Sequence, residues 1–387
     1  MTASLNFFPV DNGDMCLVEL ESRHKILIDI NIRAVADDPD EDASDVAADL
    51  RKRLERDTSG RLFVDAFLLS HPDKDHCTGL KKHFHLGPLE DWSKEADKIV
   101  IREIWSSPLV FRRASKNLAL CDDAKAFNKE ARRRVKLFRE DSSLVDDCER
   151  ILILGEDEDG KTDDLGDILV KVDQVFNKVN GYVENSFVAR LIGPLPKHED
   201  EDEEEARAKN RSSTIIQFSL TGNGLADKCR FLTGGDAEVA IWEKVWERHK
   251  YHPENLSYDI LQAPHHCSWH SLSYDSWSEL GDEAEVSADA RLALSQARDG
   301  ALLIASSKAI EDDDIDPPCI GAKREYTQIA TSVAGEFVCI GERPNKVKPQ
   351  VLVVEVGEHG PKLKNSLLAP ATVLGASSIG SQPQGHG

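Results

Sequence analysis

Asp65–Gly79 reads DAFLLSHPDKDHCTG. Ala66 to Ser70 is a short apolar run of the kind that forms a buried strand. His71, Asp73, Asp75 and His76 follow at its end. Aspartate and histidine are ordinary ligands for divalent metals. His71, Asp73 and Asp75 fall at alternate positions, so a loop leaving the strand can turn several of these groups toward one point. Pro72 and Gly79 supply the breaks such a loop needs. The plain alternative is a solvated polar turn with two unrelated histidines.

The rest of the chain repeats the pattern. Tyr258 to Ala263 is another short strand, and it ends in Pro264-His265-His266-Cys267-Ser268. Neighbours on an extended chain point to opposite sides. One histidine of the doublet is therefore expected to bind metal while the other faces substrate. Arg230 to Thr233 is a strand that runs into Gly234-Gly235-Asp236. Paired glycines favour close approach of the backbone to another group. Asp236 is read as a metal ligand, with an N-cap role as the alternative. An amphipathic helix carrying Val239, Trp242 and Trp246 on one face begins there.

Upstream, Leu5 to Val10 and Cys16 to Leu20 read as strands joined by the turn Asp11-Asn12-Gly13-Asp14. Lys25 to Ile30 is a third strand, with Asp29 and Asn31 at its end as site or loop-capping groups. Val46 to Arg56 reads as a helix with Val46, Leu50 and Leu54 on one face. Ala301 to Ser306, Glu336 to Ile340 and Val351 to Val356 are late strands, and Tyr326 to Thr331 begins a helix.

Residues 84–185 change in character and read as a helical insertion or cap. Phe111 to Arg139 is helical in pattern. Between Arg102 and Arg139 there are eleven Lys or Arg against four Asp or Glu. Such a stretch suits a phosphate-contacting wall for nucleic acid; it equally suits a helix face paired with the acidic remainder of the protein. His198 to Glu205 holds seven consecutive acids after the histidine, a block expected to be solvated. The 366–387 segment is rich in Ser, Gly, Ala, Pro and Gln and reads as a disordered tail.

The chain has 387 residues, 40% of them hydrophobic, and a net charge of −22. The size supports a real core. The charge argues against a general nucleic-acid coat or an anionic membrane surface as main partner. No apolar stretch is long enough to span a bilayer, and the N-terminus lacks the order of a signal peptide. A cytoplasmic location is expected. The eight cysteines form no CxxC pair, which argues against a zinc ribbon or thioredoxin-like motif. They are expected to be reduced thiols. Cys77 and Cys267, each directly after a histidine motif, are expected to pack near the site, with metal ligation as the lesser alternative.

Taken together, these motifs resemble those of the metallo-β-lactamase-fold hydrolases. His71, Asp73, Asp75 and His76 are similar to the HxHxDH signature, with Asp73 in place of its second histidine. Asp29 resembles the aspartate after an early strand, Asp236 the bridging aspartate, and His265 or His266 the last histidine motif. The HxDxDH form, TGGD and HHxS look most like the branch of the ComEC competence-protein domain and the phosphorylcholine esterases. Asn210 to Ser213 resembles that branch's Asn/Ser segment. The chain departs from the family in having no well-placed metal-binding histidine between the first motif and Asp236, His198 lying in the acidic run, and in Cys267 for glycine.

The resemblance implies an α/β fold, a four-layer αββα sandwich spanning residues 1–365, with the site at one edge. It implies two divalent metal ions, Zn2+ or Mn2+. The first would take His71, Asp73 and Asp236. The second would take Asp75, His76, Asp236 and one of His265 and His266. Asp75 would orient the nucleophilic water, and the free histidine, assigned as His265, would donate a proton. The expected function is phosphodiester hydrolysis, most plausibly by a nuclease. The alternatives are a small-molecule phosphoester, ester or lactone hydrolase, or a catalytically degenerate binding partner in a multi-protein system.

Overall fold

Apolar strand runs alternating with amphipathic helices build two large sheets, beside a two-stranded ribbon of Lys178–Val179 and Tyr182–Val183. The computed structural model describes residues 2–37, 43–108, 120–142, 146–156, 160–195 and 213–364. The 111–119 part of the expected basic helix, the acidic run at 198–205, residues 210–212 and the 366–387 tail lie outside the described residues.

Among the described residues the first sheet has eleven strands. Its main path runs Leu169–Val170, Arg150–Leu154, Ile99–Ser106, Leu62–Leu69, Lys25–Ile28, Cys16–Glu19, Ala3–Phe7, Leu352–Gly357 and Gly360–Leu363. The second runs Val175–Phe176, Phe187–Gly193, Ile215–Gly222, Leu225–Thr233, Tyr258–Gln262, Ala297–Ala305 and Glu336–Cys339. Each sheet mixes parallel and antiparallel pairs, so the fold is mixed α/β.

Alternation along the strands sorts side chains into separate cores. In the Leu62–Leu69 strand, Ala66 and Leu68 join a core that also holds Phe218, Phe231 and Ile260 from the second sheet. Phe67 and Leu69 face the other way, toward Val46 and Leu50 of helix Val46–Arg53 and Phe127 and Val135 of helix Asp122–Glu140. A third core sets Leu232 and Leu261 of the second sheet against Trp242, Leu294 and Ile329. These come from helices Val239–His249, Ala288–Leu294 and Ile320–Ser332.

The 84–185 segment is not a separate cap, contrary to the expectation from its composition. Its strand Ile99–Ser106 pairs in parallel with Leu62–Leu69 and with Arg150–Leu154. Helix Asp122–Glu140 is the crossover that parallel strands require. The arginines explain the misreading. Arg134 is fully buried; it donates to Glu130 Oε1 at 2.8 Å and to the Ile101 and Arg150 carbonyls, each at 3.0 Å. Arg133 pairs with Glu130, and Arg139 with Asp164. Arg102 donates to Asp65 at 3.0 Å and lies 3.5 Å from the centre of the Phe63 ring. These four arginines thus pair with the protein's own carboxylates, and Arg134 satisfies sheet carbonyls that would otherwise be orphaned. Among the described residues no helix is long and apolar enough to cross a membrane.

Candidate metal centre

Ligands in α/β folds gather beyond the carboxyl ends of parallel strands, and that is where the sequence motifs emerge. Lys25–Ile28 leads into Asp29, Leu62–Leu69 into Ser70 and His71, Leu225–Thr233 into Asp236, and Tyr258–Gln262 into His265 and His266. The two sheets are joined at this end, where Thr214 N donates to Ser70 O at 2.9 Å. Ser213 Oγ accepts from Asp236 N at 3.1 Å. Gly235 has φ +48, and an added Cβ would lie 3.0 Å from Ser70 Oγ. A side chain there is disfavoured both by conformation and by space.

Asp236 is the centre of the cluster. Its Oδ1 lies 3.0 Å from His76 Nε2 and 3.6 Å from His266 Nε2. Its Oδ2 lies 3.3 Å from His71 Nε2 and 3.7 Å from His265 Nε2. Asp75 Oδ2 is 3.2 Å from His266 Nε2, and Asp73 Oδ2 is 3.9 Å from His71 Nε2. All seven residues predicted from sequence therefore meet in one place, His71 and His265 at one oxygen of Asp236 and His76 and His266 at the other. Asp236 is no N-cap: Glu238 precedes helix Val239–His249.

The doublet reaches both oxygens by an unexpected route. It is not extended. His265, His266 and Cys267 have φ of 51°, 54° and 69°. Non-glycine residues in that region cost roughly 1–3 kcal/mol each. The run is held by His265 N donating to Gly235 O at 2.9 Å and Cys319 N donating to Cys267 O at 3.0 Å. Cys267 is buried outside the ligand group.

Two residues were underread from sequence. Asp14 reads from sequence only as a turn residue, yet it is buried, with Oδ1 3.3 Å from His266 Nδ1. With His76, Asp236 and His266 it forms a buried group whose ligand atoms all lie within 4.8 Å of one another. The signal was Gly13, where an added Cβ would stand 2.8 Å from Asp75 O: the hairpin turn is pressed against the metal loop. Asp29 reads from sequence as a site or loop-capping group. Its Oδ2 faces His76 Nδ1 at 2.9 Å, and it accepts from Ser70 N at 2.7 Å and Ser70 Oγ at 2.6 Å. It steadies the ring of His76 so that Nε2 faces Asp236.

No protein-family model matches the chain, and no curated protein matches it. The chemistry must come from the donors themselves. His71 Nε2, His76 Nε2, His266 Nδ1, Asp14 Oδ1 and Asp236 Oδ1 are all buried without a hydrogen-bond partner. Buried polar atoms are normally satisfied, and the four orphans on Asp14, His76, Asp236 and His266, residues whose ligand atoms lie within 4.8 Å of one another, fit a cation that takes lone pairs from them. The buried group can hold a metal ion. Replacing Asp29 by asparagine removes the charge behind His76 while keeping its shape. The expected result is roughly 10–100-fold weaker cation binding, measured by competition with a chromophoric chelator. Unchanged affinity would limit Asp29 to holding the Ser70 turn.

Metal-free, the cluster balances charge with protons. Burial pushes Asp236 up, but His76, His71 and His266 outweigh it and hold the carboxyl well below its usual range. Burial lowers His76, yet Asp236 and Asp29 raise it well above the ordinary value. His266 is likewise lowered by burial but pushed up to about 10 by Asp236 and Asp14. The raised histidines stabilise the metal-free fold fully below 6.5, and that contribution is lost as pH rises through the folded values. The depressed Asp236 stabilises above 3.8, and its contribution is lost as pH falls through its folded value. Metal binding needs neutral imidazoles, so it releases protons and strengthens with pH. The gap in melting temperature between cation-loaded and chelator-stripped protein is expected to widen from about pH 6 to about pH 9. Scanning fluorimetry at fixed cation concentration measures it, and a narrowing gap would contradict the assignment.

Proposed function

We propose that the chain is a metal-dependent hydrolase of the metallo-β-lactamase fold that adds water across phosphoester bonds. The observation carrying this reading is the division of donors across the two oxygens of Asp236. The three cores support it: helices, sheet, sheet and helices follow in series, as a four-layer αββα sandwich requires.

On this reading one cation would be held by Asp14, His76, His266 and Asp236, and a second by His71, Asp73 and Asp236. The expected second ligand set changes in one place, Asp14 entering it where Asp75 was expected, and His266 is the member of the doublet assigned to it. Imidazole mixed with carboxylate suits zinc or manganese. Bound cations supply acidification of a water and charge neutralisation at the oxygens of an in-line displacement.

The chain's own residues orient the reactants. Burial pushes the Asp75 carboxyl up, but its hydrogen bond with His266 and the charge of His76 hold it ionised. With its side chain 39% exposed, it is placed to accept a hydrogen bond from incoming water. The His265 side chain is 19% exposed, and burial lowers its pKa. It is assigned to steady the phosphate and pass a proton to the leaving oxygen.

The pairing of Arg102, Arg133, Arg134 and Arg139 with the protein's own groups favours a small phosphodiester over a polynucleotide. Nuclease activity remains the second reading, favoured by Lys74, an exposed cation between Asp73 and Asp75. The test is hydrolysis of bis(p-nitrophenyl) phosphate, DNA and RNA by the chain loaded with zinc or manganese. Polynucleotide cleavage should fall steeply with added salt, whereas small-substrate cleavage should not. His76→Ala should abolish either activity. A chain that takes up well under one cation, or that binds cations and cleaves none of these substrates, would overturn the hydrolase reading; the former result fits a degenerate binding partner.

A further inference from the structure

The metal loop meets the long helix through two thiols. Cys77 follows His76 directly, in the short helix Lys74–Cys77, and is fully buried. Cys121 is the N-cap of helix Asp122–Glu140, and its Sγ accepts from Ala124 N at 3.4 Å. The two Sγ atoms are 3.5 Å apart.

Other groups hold them in place. Asp123, two residues beyond Cys121, accepts from Gly79 N at 3.0 Å and Lys81 N at 2.8 Å. Cys77 Sγ lies 3.1 Å from Asp73 O. The seam is thus closed beside the sulfurs, which face each other without having to hold it. Cys121 is only part-buried, whereas the other seven cysteines are buried. The Cys77 thiol and the backbone N–H groups of Ala124 and Asp123 pull Cys121 down to about 6, against the opposing effect of burial. An accessible thiol of low pKa beside a resolving thiol is the arrangement of redox-sensing cysteines.

We propose that Cys77 and Cys121 are an oxidation site for hydroperoxides, whose disulfide pins the metal loop to the helix. The Cys121 thiolate attacks a peroxide oxygen. An S–O bond forms and the O–O bond breaks; hydroxide leaves and is protonated to water, giving a sulfenic acid. The Cys77 sulfur then attacks the Cys121 sulfur. An S–S bond forms, the S–O bond breaks, and the departing hydroxide takes the Cys77 proton as a second water. Both thiols are oxidised and hydrogen peroxide is reduced. The cross-link restrains the unfolded chain and raises stability.

The test uses the full reduced chain, both cation-loaded and chelator-stripped, treated with hydrogen peroxide. Remaining thiols are then alkylated and peptides mapped by mass. The expected product is a reductant-reversible link between the Cys77 and Cys121 peptides in both preparations, with a higher melting temperature than the reduced chain. Cys121→Ser keeps an N-cap oxygen and should show neither the link nor the shift. A linked pair elsewhere, Cys121 over-oxidised beside a free Cys77 thiol, or a link without the shift would each overturn the proposal. Because the stripped chain is tested in parallel, these results stand apart from the metal reading. Should the variant not fold, mapping of the unaltered chain decides.

Discussion

Asp236→Asn is expected to strip the centre of its cations and lower phosphoester hydrolysis by about a thousandfold or more. The residue presents one oxygen to each side, with four imidazoles within 3.7 Å. Asparagine keeps the shape but loses the charge and one lone-pair oxygen. The metal-free fold suffers too. His76 and His266 are held protonated largely by Asp236, and removing one partner of a buried ion pair costs about 3–5 kcal/mol. Elemental analysis, thermal melting and turnover of bis(p-nitrophenyl) phosphate measure the three effects. Full cation content in the variant would place the metal elsewhere.

The histidine doublet gives the second large effect, through contrast. His266 is buried and touches Asp14, Asp75 and Asp236. His266→Ala is expected to cost cation content on its side and about 10²–10³-fold in kcat. His265 is more exposed, and its Nε2 stands 3.7 Å from Asp236 Oδ2. His265→Ala is expected to keep the cation on the His76 side while kcat falls about 10²–10⁴-fold, the range for loss of a general acid. Its pH–rate profile should lose one limb. Equal cation loss in both variants would make His265 a ligand and remove its assigned role in proton transfer.

Local pattern carried the site a long way. A strand followed by His71, Asp73, Asp75 and His76, and another followed by His265 and His266, were legible because ligands cluster where strands end. Asp236 was legible from its glycines. Asp14 was not, because a turn acid looks the same whether it faces solvent or a histidine more than two hundred residues away. Only the packing of Gly13 on Asp75 O tells the two apart. The sides taken by His265 and His266 depend on three left-handed residues that no propensity favours. Residues 84–185 were misread for a related reason. A charged helix looks external, and its sequence does not say that Arg134 will be spent on carbonyls of the sheet beneath it.

Asp14, Asp29, His71, Asp75 and His76 precede residue 80, whereas Asp236, His265 and His266 follow residue 230. On the ribosome the first group emerges well before the second. A nascent chain therefore carries imidazoles and carboxylates but lacks the carboxylate they share. On the proposed reading, cation capture waits for translation to pass His266 and for that segment to leave the exit tunnel. A prematurely terminated product would display half a centre, without the carboxylate and imidazoles needed to enclose a cation.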